Sequence, residues 1–307
     1  MRIGMVGLGR MGASMTIRLV QGGHEVVAFD VNAEAVASAA AEGASPAASL
    51  PDLVGQLTPP RVVWLMVPAG EITQNAIDEL AGLLGRGDAI VDGGNSRYTD
   101  SLRRAEDLGE RDIDFVDSGT SGGVWGLKNG YCLMVGGKRE SIERLEPLFH
   151  TLAPEKGYAH VGPPGAGHFV KMVHNGIEYG LMQAYGEGFE LLHKNGEFDL
   201  DLGQIAEVWR HGSVVRSWLL DLVASALEKN PDLDGISDYV EDSGEGRWTL
   251  DAAIDQSIPM PSLALALFTR FASRQDELFA GKLIAALRNE FGGHALHARE
   301  VREKTEE

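Results

Sequence analysis

The chain has 307 residues, 44% apolar and 23% charged, which suits two folded domains of ordinary size. Its 45 acidic side chains against 27 basic ones leave a formal charge of -18, which argues against nucleic acid and anionic membrane as partners. The single cysteine, Cys132, excludes an intramolecular disulfide, and no apolar run of about 18 residues reads as a membrane span. The expected setting is reducing and cytoplasmic, because a strand rather than a basic leader opens the chain. Cys132 is expected to be a small buried hydrophobe in an apolar strand. If the ligand is a multiply charged anion, local cations must gather it against the bulk field.

In chain order, residues 1–7 read as an apolar strand, turned into a helix by Gly7, Leu8, Gly9, Arg10, Met11 and Gly12. Residues 25–30 read as a second strand, ending in Asp30. Apolar runs at 62–67, 89–92, 114–117 and 131–135 give further strands, separated by segments of helical period. Strands alternating with helices over about 160 residues imply a mostly parallel, doubly wound α/β sheet. The glycine- and proline-rich run 161–167 breaks this pattern. A long helix then reaches about residue 195, followed by helical segments at 202–210, 214–229, 248–257, 262–273 and 275–291. The expected division is an α/β domain over 1–164 and an all-α domain over 165–307. The charged stretch 299–307 is expected to fray.

Gly7, Gly9 and Gly12 match G-x-G-x-x-G directly after a strand and at the opening of a helix, the context of a dinucleotide site. The first allows a tight turn, the second admits pyrophosphate to the backbone, and the third lets helix and strand pack closely. Asp30 stands 18 residues past Gly12, near where an acid takes the ribose hydroxyls. A strand-end turn or cap leading into Asn32 is the plainer alternative, though it needs no such position relative to the glycines. A carboxylate there repels a 2′-phosphate and no arginine lies in 30–34, so NAD is expected in preference to NADP.

On the long helix, Lys171 and Glu178 are seven residues apart, a displacement of only about 20° around the axis. His174, Asn175 and Tyr179 share their stripe, which thus carries one potential base and one potential acid. Phe169, Val170, Met172 and Val173 interleave with it, so the helix is expected to be buried. A solvated charged face and a satisfied core histidine remain the plainer readings of the stripe alone. No cluster shows metal-ligand spacing, so no metal is expected.

Five runs together resemble the decarboxylating 6-phosphogluconate dehydrogenases in their shorter form, over essentially the whole chain. They are Gly7-Leu-Gly-Arg-Met-Gly12, Asp92-Gly-Gly-Asn-Ser96, Asp117-Ser-Gly-Thr-Ser-Gly-Gly123, Gly167-His-Phe-Val-Lys-Met-Val-His-Asn-Gly-Ile-Glu-Tyr179 and Arg288-Asn-Glu-Phe-Gly-Gly-His294. The resemblance implies a Rossmann-type NAD domain, a helical substrate-binding and oligomerisation domain, and oxidation of 6-phosphogluconate at C3 with release of carbon dioxide, giving ribulose 5-phosphate. It implies Lys171 as the base for the C3 hydroxyl and Glu178 as the acid that protonates the enediol. Ser121, Gly122 and Gly123 would hold the substrate carboxylate, and Asn95, His174 and Asn175 its hydroxyls. Spacing alone reads 121–123 as an ordinary glycine turn and Asn95 as a turn residue.

Phosphate would be held by Tyr179, Arg247, Arg270, Arg288 and His294. Arg247 stands where the family commonly has lysine, which keeps charge and changes geometry. The loop Val67, Pro68 and Ala69, with Asn95, would line the cofactor site. Pro68 replaces a lysine of many NADP-using members, in agreement with NAD. The family also implies a homodimer or homotetramer in which the tail bearing Arg288 and His294 reaches a neighbouring active site. A non-decarboxylating β-hydroxyacid dehydrogenase would share the glycine fingerprint, Lys171 and Asn175. It would not explain Glu178, the 92–96 run or the tail. A non-catalytic NAD-binding regulatory protein is the more distant rival.

Overall fold

The computed structural model describes residues 1–297, so the charged stretch 299–307 lies outside the described residues. The strands are β1 (Arg2–Val6), β2 (Glu25–Phe29), β3 (Ser45–Pro46), β4 (Val62–Leu65), β5 (Ala89–Asp92), β6 (Asp114–Ser121), β7 (Cys132–Gly136) and β8 (Tyr158–Gly162). They form one sheet in the order β3-β2-β1-β4-β5-β6-β7-β8, parallel throughout except between β6 and β7. The helices between them are α1 (Arg10–Gln21), α2 (Ala33–Ala41), α3 (Leu50–Gly55), α4 (Glu71–Leu83), α5 (Tyr98–Gly109), α6 (Gly126–Asn129) and α7 (Arg139–Leu152). After the sheet come α8 (Ala166–Lys194), α9 (Leu202–Arg210), α10 (Trp218–Lys229), α11 (Glu245–Asp255), α12 (Pro261–Ser273) and α13 (Phe279–Gly292).

Alternation along the strands divides the core in two, as a doubly wound sheet requires. Ile3, Met5, Val26, Ala28, Val62, Trp64, Val91 and Val116 pack with Met15 and Leu19 of α1 and Leu145 and Leu148 of α7. Their strand neighbours Val6, Val27, Val63, Leu65, Ile90 and Phe115 pack instead with Leu53, Ile77, Leu80 and Leu108 of α3, α4 and α5. Because β1 lies between β2 and β4, the strand order reverses beside it. The carboxyl ends of β1 and β4 therefore flank the crevice where such sheets bind ligands.

Two strands lie outside those expected. β3 is only two residues long, and β8 alternates between half-buried and exposed positions at the sheet edge, where an apolar run is not needed. β8 ends inside the run read as a break. β6 also continues past residue 117 through small polar residues, because its pairing with β7 carries Ser121 opposite Cys132.

The chain packs as two compact units, Met1–Glu178 with Gly244–Ile258, and the remainder. Strands cease near residue 165, yet the first half of α8 and all of α11 pack with the sheet. Within that unit, Thr249 Oγ1 donates to the Met172 carbonyl at 2.9 Å and Arg97 pairs with Asp251 at 3.2 Å. In the other unit α9 and α10 close on Ala206, Leu220, Ala224 and Leu227, with Phe189 edge-on to Trp209 at 5.6 Å. α8 departs from the expected burial: Met172 is enclosed, but Val170, Ile177 and Leu181 are exposed on the single chain.

Candidate active site

The glycine loop is built as its spacing requires. Gly7 adopts φ +91°, and its N–H donates to the Phe29 carbonyl at 2.9 Å, so the turn leaves the sheet beside β2. A Cβ at Gly12 would overlap the Gly7 carbonyl oxygen, whereas one at Gly9 would meet open space. Gly9 is also the N-cap of α1 and supplies no side-chain cap, so the first-turn N–H groups face the opening. Leu8 is buried, Met11 half-buried and Arg10 exposed. The Leu8 N–H donates to Asp30 Oδ2 at 2.6 Å, and the Asn32 N–H to Oδ1 at 2.8 Å. Asp30 thus makes the strand-end turn and also stands at the glycine loop. The open cradle, uncapped amides and adjoining acid fit a dinucleotide.

Beyond β4, Val67, Pro68 and Ala69 form the next lip, with Thr73 Oγ1 donating to the Pro68 carbonyl at 2.8 Å. Asn95 follows β5 on a loop held by Asp92. That carboxylate accepts from the Gly94 N–H at 3.1 Å, from Ser96 Oγ at 2.7 Å and from Arg104 Nη1 at 3.0 Å. Asp92 and Arg104 are both buried, so each desolvated charge answers the other. Asp117 does the same for α8. Its oxygens accept from the Gly165 N–H at 2.6 Å and the His168 N–H at 2.7 Å, capping the helix that carries the stripe.

Two glycines bring α8 against the sheet. A Cβ at Gly167 would overlap the carbonyl oxygens of Asp117 and Met134, and one at Gly119 would overlap Lys171 Cβ. Lys171 is consequently only 9% exposed, and its Nζ donates to Asn175 Oδ1. Burial pushes its ammonium below the ordinary lysine value, opposed by the charges of Glu245, Glu178 and Cys132. His174 Nδ1 lies 3.1 Å from the same Asn175 oxygen and 3.9 Å from Glu178 Oε2. The structure thus gathers Lys171, His174, Asn175 and Glu178 on one stripe. Ser121 ends β6, and Gly122 and Gly123 turn away at φ +135° and +51°, so the glycine-turn reading describes their backbone. Cys132 is exposed, not the buried hydrophobe expected, because it opens β7 opposite Ser121.

In the other unit, Arg270 lies over the Tyr179 ring, 3.7 Å from its centroid, and donates to the Glu241 carbonyl at 2.8 Å. The buried Tyr179 hydroxyl accepts from the Ser243 N–H at 3.1 Å. Arg288 and His294 sit on and just after α13, exposed on the single chain. Arg247 lies in the first turn of α11, with the sheet-bearing unit, and is exposed. Among the described residues, no group of three or more His, Cys, Asp or Glu side chains could hold a metal ion. Nor is any described helix long and apolar enough to cross a membrane.

One acid was missed. Glu245 is 1% exposed on the first turn of α11, its Oε2 makes no hydrogen bond, and burial pushes its carboxyl up to about 7. The Lys171 charge lowers that value and the Glu178 charge raises it. The available signal was its place two residues before Arg247, which the resemblance marks as a phosphate ligand. The helix expected over 248–257 begins at Glu245 in the structure, which draws this acid into its first turn.

Residues 2–162 match the NAD binding domain of 6-phosphogluconate dehydrogenase, and residues 167–280 match the 6-phosphogluconate dehydrogenase C-terminal domain. The chain is 47% identical over 296 residues to an NAD(+)-dependent, decarboxylating 6-phosphogluconate dehydrogenase of Haloferax volcanii, covering 96% of this chain and 98% of that one. A Bacillus subtilis enzyme of the same description is 36% identical, covering 90% of this chain and 62% of its own greater length. Among solved structures, the Plasmodium falciparum 6-phosphogluconate dehydrogenase superposes with a TM-score of 0.82 at 27% identity, over 100% of this chain and 67% of that one. The Mycobacterium tuberculosis 3-hydroxyisobutyrate dehydrogenase superposes with a TM-score of 0.73 at 26% identity, over 94% and 99%. With both domains matched in order and a relative covered almost end to end at this identity, the chain belongs to the 6-phosphogluconate dehydrogenase family.

Proposed function

We propose that the protein oxidises 6-phosphogluconate at C3 and releases its carboxyl group as carbon dioxide, with NAD as the preferred acceptor. The observation that carries this reading is the pairing of a buried, down-shifted Lys171 with Glu178 two turns along the same helix. Bound at the glycine loop, NAD supplies the acceptor for the hydride leaving C3. The neutral Lys171 amine takes the C3 hydroxyl proton as that hydride departs. The ketone so formed is β to the carboxylate and accepts the electron pair of the breaking C–C bond. The Lys171 ammonium then steadies the developing enolate oxygen. Glu178 delivers a proton to the carbon that lost carbon dioxide, which gives ribulose 5-phosphate.

The remaining roles follow the resemblance. Ser121, Gly122 and Gly123 are proposed to hold the carboxylate, and Asn95, His174 and Asn175 the hydroxyls. Tyr179, Arg247, Arg270, Arg288 and His294 are proposed to hold phosphate. Asp30 supports NAD, since a carboxylate already engaged at the glycine loop repels a 2′-phosphate. Self-association is proposed as well. α13 buries none of its residues in the single chain, and Phe279, Ile284, Leu287 and Phe291 are all exposed.

Purified protein given NAD and 6-phosphogluconate tests the reading. NADH and carbon dioxide should form in equal amounts, with a higher kcat/KM for NAD than for NADP. NADH without carbon dioxide would favour a β-hydroxyacid dehydrogenase, the class of the similar-length Mycobacterium tuberculosis structure. Neither product would leave a dinucleotide-binding protein without this chemistry.

A further inference from the structure

Turnover by this reading leaves a proton imbalance. Lys171 ends holding the C3 hydroxyl proton, while Glu178 has given one proton to carbon. The overall reaction releases none, because the substrate carboxylate leaves as neutral carbon dioxide. One proton must therefore pass from Lys171 to Glu178 before the next cycle. Their Cα atoms are separated by about 10 Å along the helix axis, at roughly 1.5 Å per residue. The path along the helix surface runs through Asn175 Oδ1, which accepts from Lys171 Nζ and faces His174 Nδ1 at 3.1 Å. A carbonyl oxygen has no proton to hand on, so that route is interrupted.

α11 offers another. Thr249, one turn beyond Glu245, donates to the carbonyls of Glu245 at 2.8 Å and of Met172 at 2.9 Å, and so ties the first turn of α11 to α8 beside Lys171. Glu245 on that turn is 1% exposed, with Oε2 unpartnered, where a structural carboxyl would have a donor. The charges it senses are those of Lys171 and Glu178, the two groups that must exchange a proton. Among the described residues, Cys132 is the other charge acting on Lys171, and His174 Nδ1 lies 3.9 Å from Glu178 Oε2. Desolvation of its side chain pushes the Cys132 thiol above its ordinary value, against the pull of the Lys171 charge.

We propose that Glu245 is the proton carrier of this site, taking the proton that Lys171 accumulates and passing it to Glu178. The inference rests on the functional reading above. In the first step the Lys171 ammonium loses a proton to the Glu245 carboxylate, giving an amine and a carboxylic acid. In the second, that acid protonates the Glu178 carboxylate and returns to its ionised form. No proton enters from solvent and none leaves. The base and the acid are then both restored.

The test uses the full chain with NAD and 6-phosphogluconate. Glu245→Gln keeps shape and removes the exchangeable carboxyl proton. Its kcat should fall by about tenfold or more, with substrate KM and NAD Kd held within about twofold. Wild-type kcat should decline as pH falls through about 7, where Glu245 is already protonated, and this limb should be absent in Glu245→Gln. Glu245→Ala should regain turnover with added formate, a small carboxylic acid that fits the vacated space. A Glu245→Gln enzyme with wild-type kcat and pH profile would overturn the inference. So would a loss that formate does not restore and that comes with a lowered unfolding midpoint. Wild-type turnover checks the reading beneath it: an inactive wild type overturns both, and an active one with undiminished Glu245→Gln overturns the inference alone.

Discussion

At the residue scale, the energetics of Glu245 can be measured apart from turnover. Its carboxyl titrates near 7 in the folded chain against an ordinary 4.5. Below the ordinary value both states hold the proton and burial carries no ionisation cost. As pH rises through the folded value, the folded chain must ionise a buried group that the unfolded chain ionised earlier, so stability is lost. Glu245→Gln should therefore be more stable than wild type at about pH 8, by on the order of 3 kcal/mol, and the gap should close towards about pH 4.5. Calorimetry at the two pH values checks this, and equal midpoints at the higher pH would contradict it. Lys171 and Glu178 were legible because helical spacing alone puts them on one stripe. Glu245 was not, since an acid between two glycines beyond Glu241 and Asp242 reads as solvated surface. Its burial depends on α11 packing with α8, and the Thr249 bond to Met172 joins those elements across a long stretch of sequence.

At the scale of elements, α8 reaches the sheet because its own Gly167 and the sheet's Gly119 lack side chains. Gly167→Ala should destabilise the fold by about 1–3 kcal/mol, since its methyl group meets the backbone carbonyls of Asp117 and Met134. At Gly186, on the same helix, a methyl group would meet open space, so Gly186→Ala should stabilise by about 0.5–1 kcal/mol. Chemical denaturation of both variants tests the contrast, and equal effects would count against it. The doubly wound sheet was legible because strands buried on both faces read as continuous apolar runs. β3 and β8 were not, because an edge strand needs neither length nor apolar continuity. The polar second half of β6 was hidden for a related reason: its pairing with β7 is backbone chemistry that leaves no mark on hydropathy.

At the scale of the whole molecule, the exposed apolar residues of α13 and the phosphate ligands proposed beside them point to one arrangement. Phe291 is 95% exposed and lies three residues from both Arg288 and His294. If a partner's tail completes each site, Arg288→Ala should raise the substrate KM strongly, and its defect should be complementable. Mixed oligomers of inactive Lys171→Met and impaired Arg288→Ala subunits would contain sites with an intact lysine and an intact neighbouring tail. Unfolding and refolding the two together should restore turnover, whereas no gain over the separate proteins would place Arg288 in its own subunit's site. The central claim is that the buried amine of Lys171 performs the proton abstraction. Turnover of Lys171→Met with NAD and 6-phosphogluconate, measured beside an NAD titration, tests it most directly. The predicted result is a fall in kcat of at least about a hundredfold with NAD affinity nearly intact; undiminished turnover with the same affinity would contradict it.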